Sequence, residues 1–167
     1  NENLFILGGN SNDNITTGTG NDVILAGDGN NTILTSGGNN TITTGSGNDN
    51  ITVQGSGENN ITVGGTGEEG SSNTIKIDTD SSAKSSITGS LGDEHVTITD
   101  GTNEISLGKG NDYVIINGGT NNIDLSESDK STVTINGGNN TLITGSNSDE
   151  IWVNNGIENE INTGAGN

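Results

Sequence analysis

Six acidic side chains recur at one place in a short pattern. Asp13, Asp22, Asp49, Glu94, Asp112 and Asp149 each stand two residues before an apolar position, as in Gly45-Ser46-Gly47-Asn48-Asp49-Asn50-Ile51 and Gly108-Lys109-Gly110-Asn111-Asp112-Tyr113-Val114. Glycine turns expose backbone carbonyls, and the carboxylate adds a charged oxygen. That donor set suits a hard cation such as Ca2+, which takes about six to eight oxygens at roughly 2.3–2.6 Å. The candidate metal ligands are Asp13, Asp22, Gly27, Asp28, Gly29, Gly45, Gly47, Asp49, Glu94, Gly108, Gly110, Asp112 and Asp149. The plainer alternative is that these aspartates bond their own turn backbone.

The elements that position these residues follow from the spacing. The apolar marks fall at Ile6, Ile15, Ile24, Ile33, Ile42, Ile51, Ile61, Ile75, Ile87, Val96, Ile105, Val114, Ile123, Val133, Leu142, Ile151 and Ile161, and eleven of the sixteen intervals are nine residues. A fixed short period implies stacked units. Nine residues make a half-turn, a tight turn followed by a short strand. The expected fold is all-β, a parallel β-roll or β-solenoid of about 18 residues per coil in two half-coils, with about eight coils and a length on the order of 40 Å by strand spacing. Ile33, Ile51, Ile75 and Val96 then stack along one sheet, and Ile42, Ile61, Ile87 and Ile105 along the other. The residue two after each mark, Val53, Ile98, Ile116 or Val153 for example, is also expected to point inward.

Composition agrees with a thin solenoid. The chain of 167 residues is 25% hydrophobic and 2% aromatic, with 29 Gly, 29 Asn, 23 Thr and no Pro. Gly and Asn suit tight turns, Thr and Ile suit strands, and the absence of Pro leaves a backbone ladder uninterrupted. We expect a single domain over 1–167, with loop insertions at about 64–74 and 78–86 on opposite edges of the rod. The net charge of −18, with four Lys and no Arg, disfavours nucleic acid and anionic membranes and favours divalent cations. No apolar run approaches membrane-spanning length.

Alternating half-coils put alternate turns on two edges. Two residues before the marks, one edge carries Asp13, Asn31, Asp49, Asn73, Glu94, Asp112, Ser131 and Asp149, five of the eight acidic. The other carries Leu4, Asp22, Asn40, Asn59, Ser85, Asn103, Asn121, Asn140 and Asn159, with one acid and six Asn. The first reads as a metal edge. The second reads as an amide ladder held mostly without metal, with Asn117, Asn136 and Asn154 as a further row.

These units resemble the nonapeptide repeat of RTX proteins, G-G-x-G-x-D-x-U-x, where U is apolar. The match is close at Gly18, Gly20, Asn21, Asp22 and Ile24, at Gly45, Gly47, Asn48, Asp49 and Ile51, and at Gly108, Gly110, Asn111, Asp112 and Val114; the Gly9–Ile15 unit carries Asp13. Elsewhere Asn often replaces Asp. The resemblance implies a right-handed, calcium-loaded parallel β-roll with ions on both edges. The Asn-rich edge departs from that pattern, except at Asp22. It also implies folding gated by calcium, loose in the cytoplasm and locked outside.

The outward strand positions include Thr43, Thr62, Thr88 and Ser106 on one sheet, and Thr16, Leu34, Thr52, Lys76, Thr97, Ile115, Thr134 and Trp152 on the other. Paired Thr rows would suit ice, but Thr flanks the mark on both sides only at Thr41/Thr43 and Thr132/Thr134. His95, the one histidine, is expected on the surface, and no nucleophile and base are marked out as a pair. The chain therefore reads as a non-enzymatic, secreted structural protein of the bacterial cell surface: a calcium-stabilised module of an adhesin, surface layer or extracellular fibre. It would continue in a longer polypeptide or self-associate end to end. The alternative is an ice- or polysaccharide-binding module.

Overall fold

The computed structural model describes residues 2–64 and 71–165. Every paired strand in it is parallel to its neighbours, and the described residues contain no helix. One sheet has nine strands in sequential spatial order: β1 (Phe5–Gly9), β3 (Val23–Gly27), β5 (Asn40–Thr44), β7 (Glu58–Thr62), β9 (Lys84–Thr88), β11 (Thr102–Ser106), β13 (Thr120–Leu125), β15 (Asn139–Thr144) and β17 (Glu158–Asn162). The other has eight: β2 (Asn14–Thr16), β4 (Thr32–Thr35), β6 (Asn50–Gly55), β8 (Ser72–Thr79), β10 (Asp93–Ile98), β12 (Asn111–Ile116), β14 (Lys130–Ile135) and β16 (Glu150–Val153). The chain crosses between sheets at each turn, giving a β-solenoid of about eight coils.

Register follows the apolar marks. Ile33 pairs with Ile51, Ile51 with Ile75, and Ile75 with Val96 in the smaller sheet. Ile42 pairs with Ile61, Ile61 with Ile87, and Ile87 with Ile105 in the larger. Aliphatic side chains, mostly Ile and Val, thus stack on each other from coil to coil, and the two stacks meet as one continuous core. Burying each such side chain contributes roughly 1.5–3 kcal/mol. The second inward position is filled by Val53, Ile77, Ile98, Ile116 and Ile135 along most of the smaller sheet, all fully buried. Near the N-terminus the same position holds Thr17 and Thr35, also buried.

Val153 stands in the inward row as the register partner of Ile135, but it is not buried. It is 46% exposed, because β16 is the last strand of its sheet and no further coil covers it. The second insertion is compact. Asp78 and Thr79 lie in β8, and a turn at Asp80–Ala83 leads to β9, closed by the bond from the Ala83 backbone N–H to the Asp80 carbonyl. Residues 65–70 of the first insertion lie outside the described residues.

The outward rows keep the spacing read from the sequence. Thr43, Thr62, Thr88 and Ser106 are register partners along the larger sheet. On the smaller sheet, Lys76 and Ile115 stand in the row with Thr52, Thr97 and Thr134. His95 is exposed and lies against Tyr113, with ring centroids 5.8 Å apart.

Candidate metal centre

The turns from the larger sheet to the smaller one form the acidic edge. Each half-coil there ends in a dipeptide that binds neighbouring coils in opposite directions. The buried residue two before the mark accepts a bond from the coil before it. Asn31 Oδ1 accepts from the Asp13 backbone N–H at 3.0 Å, Asp49 Oδ1 from that of Asn31 at 2.9 Å, and Asn73 Oδ1 from that of Asp49 at 3.0 Å. Asp112 Oδ1 accepts from the Glu94 backbone and Asp149 Oδ1 from that of Ser131. The exposed residue just before it accepts from the coil after it. Asn12 Oδ1 accepts from the Asn30 backbone, Asn30 from Asn48, Asn48 from Ser72, and Asp93 from Asn111. Every such bond satisfies a backbone donor that the tight turn would otherwise leave unpaired.

This exposed row was not among the candidate residues. Its signal was the Asn in the recurring Asn-Asp and Asn-Asn dipeptides.

One oxygen of most acidic side chains is left over. Asp13 Oδ2, Asp49 Oδ2, Glu94 Oε2 and Asp149 Oδ2 are buried without a hydrogen-bond partner. The residues Asp49 and Glu94 are 2% and 0% exposed. Leaving a buried charge unpaired costs several kcal/mol. The chain's own cations do not offset this. The ion pairs among the described residues join Lys76 to Asp78, Lys84 to Glu58 and Lys130 to Glu150, and none includes a carboxylate of the buried row. Burial accordingly pushes the Asp49 and Glu94 carboxyls up, and Asp112 up to about 7.

The residues present fit a calcium ion. The orphaned oxygens are hard, anionic and buried, and glycine leaves room beside them. A Cβ at Gly8 would come 2.5 Å from Asp13 Oδ2, and one at Gly89 would come 2.8 Å from Glu94 Oε2. Among the described residues no three His, Cys, Asp or Glu side chains converge. An ion on this edge would therefore draw on backbone carbonyls beside single carboxylates.

Asp28 lies on the exposed outer side of its turn, away from the buried row, and accepts bonds from the backbone and hydroxyl of Ser46 at 2.9 Å each. Those two bonds hold its carboxyl below the usual range. The Gly27 and Gly29 carbonyls both accept from Asn31 Nδ2, at 3.1 and 3.0 Å. Gly45 and Gly47 bring the turn of Asp49 onto the turn before it, the Gly45 N–H donating to the Gly27 carbonyl. The Gly110 carbonyl accepts from the backbones of Asp129 and Lys130, and Gly108 lies in the same turn. Asp112 differs from the other acids, because its Oδ2 accepts a hydrogen bond from the Ser128 hydroxyl.

The opposite edge is an amide ladder. Asn103 Nδ2 donates to Asn121 Oδ1, Asn121 to Asn140, and Asn140 to Asn159, at 2.7–2.8 Å. Asn40 donates likewise to Asn59. The further row also forms, Asn154 donating to Asn136 and Asn136 to Asn117. Asp22 is the single acid in this edge's buried row. Its Oδ1 accepts from the Leu4 backbone, and its Oδ2 is buried and unpartnered.

The profile of the RTX calcium-binding nonapeptide repeat matches the chain in four copies, at residues 7–42, 25–55, 34–68 and 134–157, together about half its length. No curated protein and no solved structure matches it. The parallel solenoid, the nonapeptide register and the four profile matches agree, and the chain belongs to the RTX calcium-binding nonapeptide repeat family.

Proposed function

We propose that this calcium-binding repeat module is an extracellular structural element, a stiff segment of a bacterial adhesin, surface layer or extracellular fibre. Proteins of the family are typically secreted, which supports that location. The observation that carries the reading is the row of buried, unpartnered carboxylate oxygens at Asp13, Asp49, Glu94 and Asp149. Bound calcium supplies the positive charge that these oxygens lack. The residues do the rest. Asp49 and Asp149 use one oxygen to clamp the backbone of the preceding coil, Glu94 uses one on the Asn73 amide, and each presents its other oxygen to the ion site. Without ions, the charges of the closely stacked turns repel and loosen the acidic edge.

Small-angle scattering of the chain tests this. In millimolar calcium the particle should be a compact rod, and in chelator it should expand. Identical scattering curves in both conditions would sink the proposal.

One observation favours a second reading, a polysaccharide-binding module. A groove of about 980 Å³ follows the larger sheet beside the amide ladder, lined by one polar set per coil, including Asn60, Ser86, Thr120, Asn122 and Thr141. It offers hydroxyls and amides to an extended polar chain. Retention of the protein on a column of immobilised neutral polysaccharide would support this use, and free passage would oppose it.

A further inference from the structure

Three of the fillings of the same backbone position, Asn, Asp and a hydroxyl-capped Asp, differ at one atom. At most positions where it is Asn, Nδ2 turns back onto the turn's own carbonyls, whereas Asn73 Nδ2 donates to Glu94 Oε1. Asn31 Nδ2 donates to Gly27 and Gly29, and Asn40 Nδ2 donates to Gly37 and Gly38 at 3.2 and 3.1 Å. Asn121 and Asn140 do the same to Gly118 and Gly137, both at 3.0 Å. Where it is Asp, the isosteric atom is Oδ2. Asp49 is anchored as Asn31 is, with Oδ1 accepting a backbone N–H of the preceding coil. Its second atom therefore occupies the corresponding place in its own Gly45-Ser46-Gly47 turn, and there it has no partner. Asp22 repeats this on the other edge. An amide donor satisfies a nest of carbonyls, whereas a carboxylate oxygen there adds an acceptor to acceptors.

We infer that the asparagine amide stands in for the ion, so that the choice of Asp or Asn two residues before each core mark sets calcium dependence coil by coil. Asp112 is the third case. Its motif matches the repeat as closely as that of Asp49, yet the Ser128 hydroxyl supplies the donor that Oδ2 needs. Asn31 and Asp112 then mark ion-free turns within the acidic edge, and Asp22 marks an ion turn within the amide edge. The inference rests on the reading that the unpartnered carboxylates bind calcium. It goes beyond that reading in saying which turns do not, and why.

The test counts calcium ions by equilibrium dialysis of the full chain and follows melting in chelator. Asp49→Asn should bind one ion fewer than the wild type and melt at a higher temperature in chelator. Asp22→Asn should do the same on the other edge and guards against a local failure at Asp49. Asn31→Asp should bind one ion more and melt lower in chelator. Ser128→Ala should also gain one ion. Unchanged ion counts in these variants, or an Asp49→Asn chain that melts lower in chelator, would overturn the inference while leaving calcium binding intact. A wild type that binds no calcium would overturn the underlying reading, and this one with it.

Discussion

The carboxylate of Asp49 is divided between two tasks: its Oδ1 accepts the backbone N–H of Asn31, eighteen residues earlier, at 2.9 Å, while its Oδ2 is buried with no partner. The first task ties coil to coil in any condition. The second calls for a cation from outside.

Replacing Asp49 by Ala removes both. The Asn31 backbone N–H would be left unpaired at a buried site, costing about 1–3 kcal/mol, and the ion site would be lost as well. The melting temperature in calcium should fall by more than it does in chelator. Parallel thermal melts check this, and an equal fall in both conditions would leave Asp49 with the clamp alone.

The buried carboxyls make the ion-free protein sensitive to pH. Burial raises Asp49, Glu94 and Asp112, the last to about 7. A carboxyl raised on folding favours the folded state when protonated. That contribution is complete below the unfolded value near 3.8 and is lost as pH rises through about 7. In chelator the chain should therefore melt several degrees higher at pH about 5.5 than at pH about 8. A melting series in chelator measures this. A temperature that falls on acidification would contradict it.

Around Asn121, away from Asp22, the amide edge should be indifferent to calcium. Asn121 donates to Asn140 and to the Gly118 carbonyl, and accepts from Asn103. Asn121→Ala should cost about 1–3 kcal/mol for each buried group it leaves unpaired. Urea unfolding should give the same loss with calcium and with chelator. A loss that appears only in calcium would mean that this edge also holds ions there.

Coil stacking depends on backbone approach at the glycine turns. Gly47 has φ +128°, and a Cβ there would meet the Gly29 carbonyl carbon at 2.7 Å. Gly47→Ala combines an unfavourable backbone conformation with a steric block between coils. It should lower the melting temperature sharply and weaken calcium binding. A wild-type melt would show that the coils can separate locally to accept the methyl group.

Much of this was legible in the sequence, because the information is local and periodic. A nine-residue mark places Ile51 on Ile33 and Ile75 without reference to anything distant, and the same count sorts Asp49 and Asn40 onto opposite edges. The hydroxyl caps were not legible. Ser128 reaches Asp112 from the next coil, and Ser90 reaches Glu94 Oε1 at 2.5 Å within one turn; both depend on how a particular turn folds back. Asp28 shows the same limit. It lies between two glycines like a ligand, yet the side chain stays outside on Ser46. The reversed clamps of Asn12, Asn30 and Asn48 were present as residues, but the direction of a hydrogen bond along the rod is not written in their spacing.

The most direct measurement is far-ultraviolet circular dichroism with a thermal melt, first in chelator and then in millimolar calcium. The unpartnered oxygens of Asp13, Asp49, Glu94 and Asp149 predict a weakened β spectrum with a low melting temperature in chelator, and a fully folded solenoid that melts cooperatively and much higher in calcium. An unchanged spectrum and melting temperature would contradict the account, and would leave the isoleucine stacks and the asparagine ladder to hold the rod on their own.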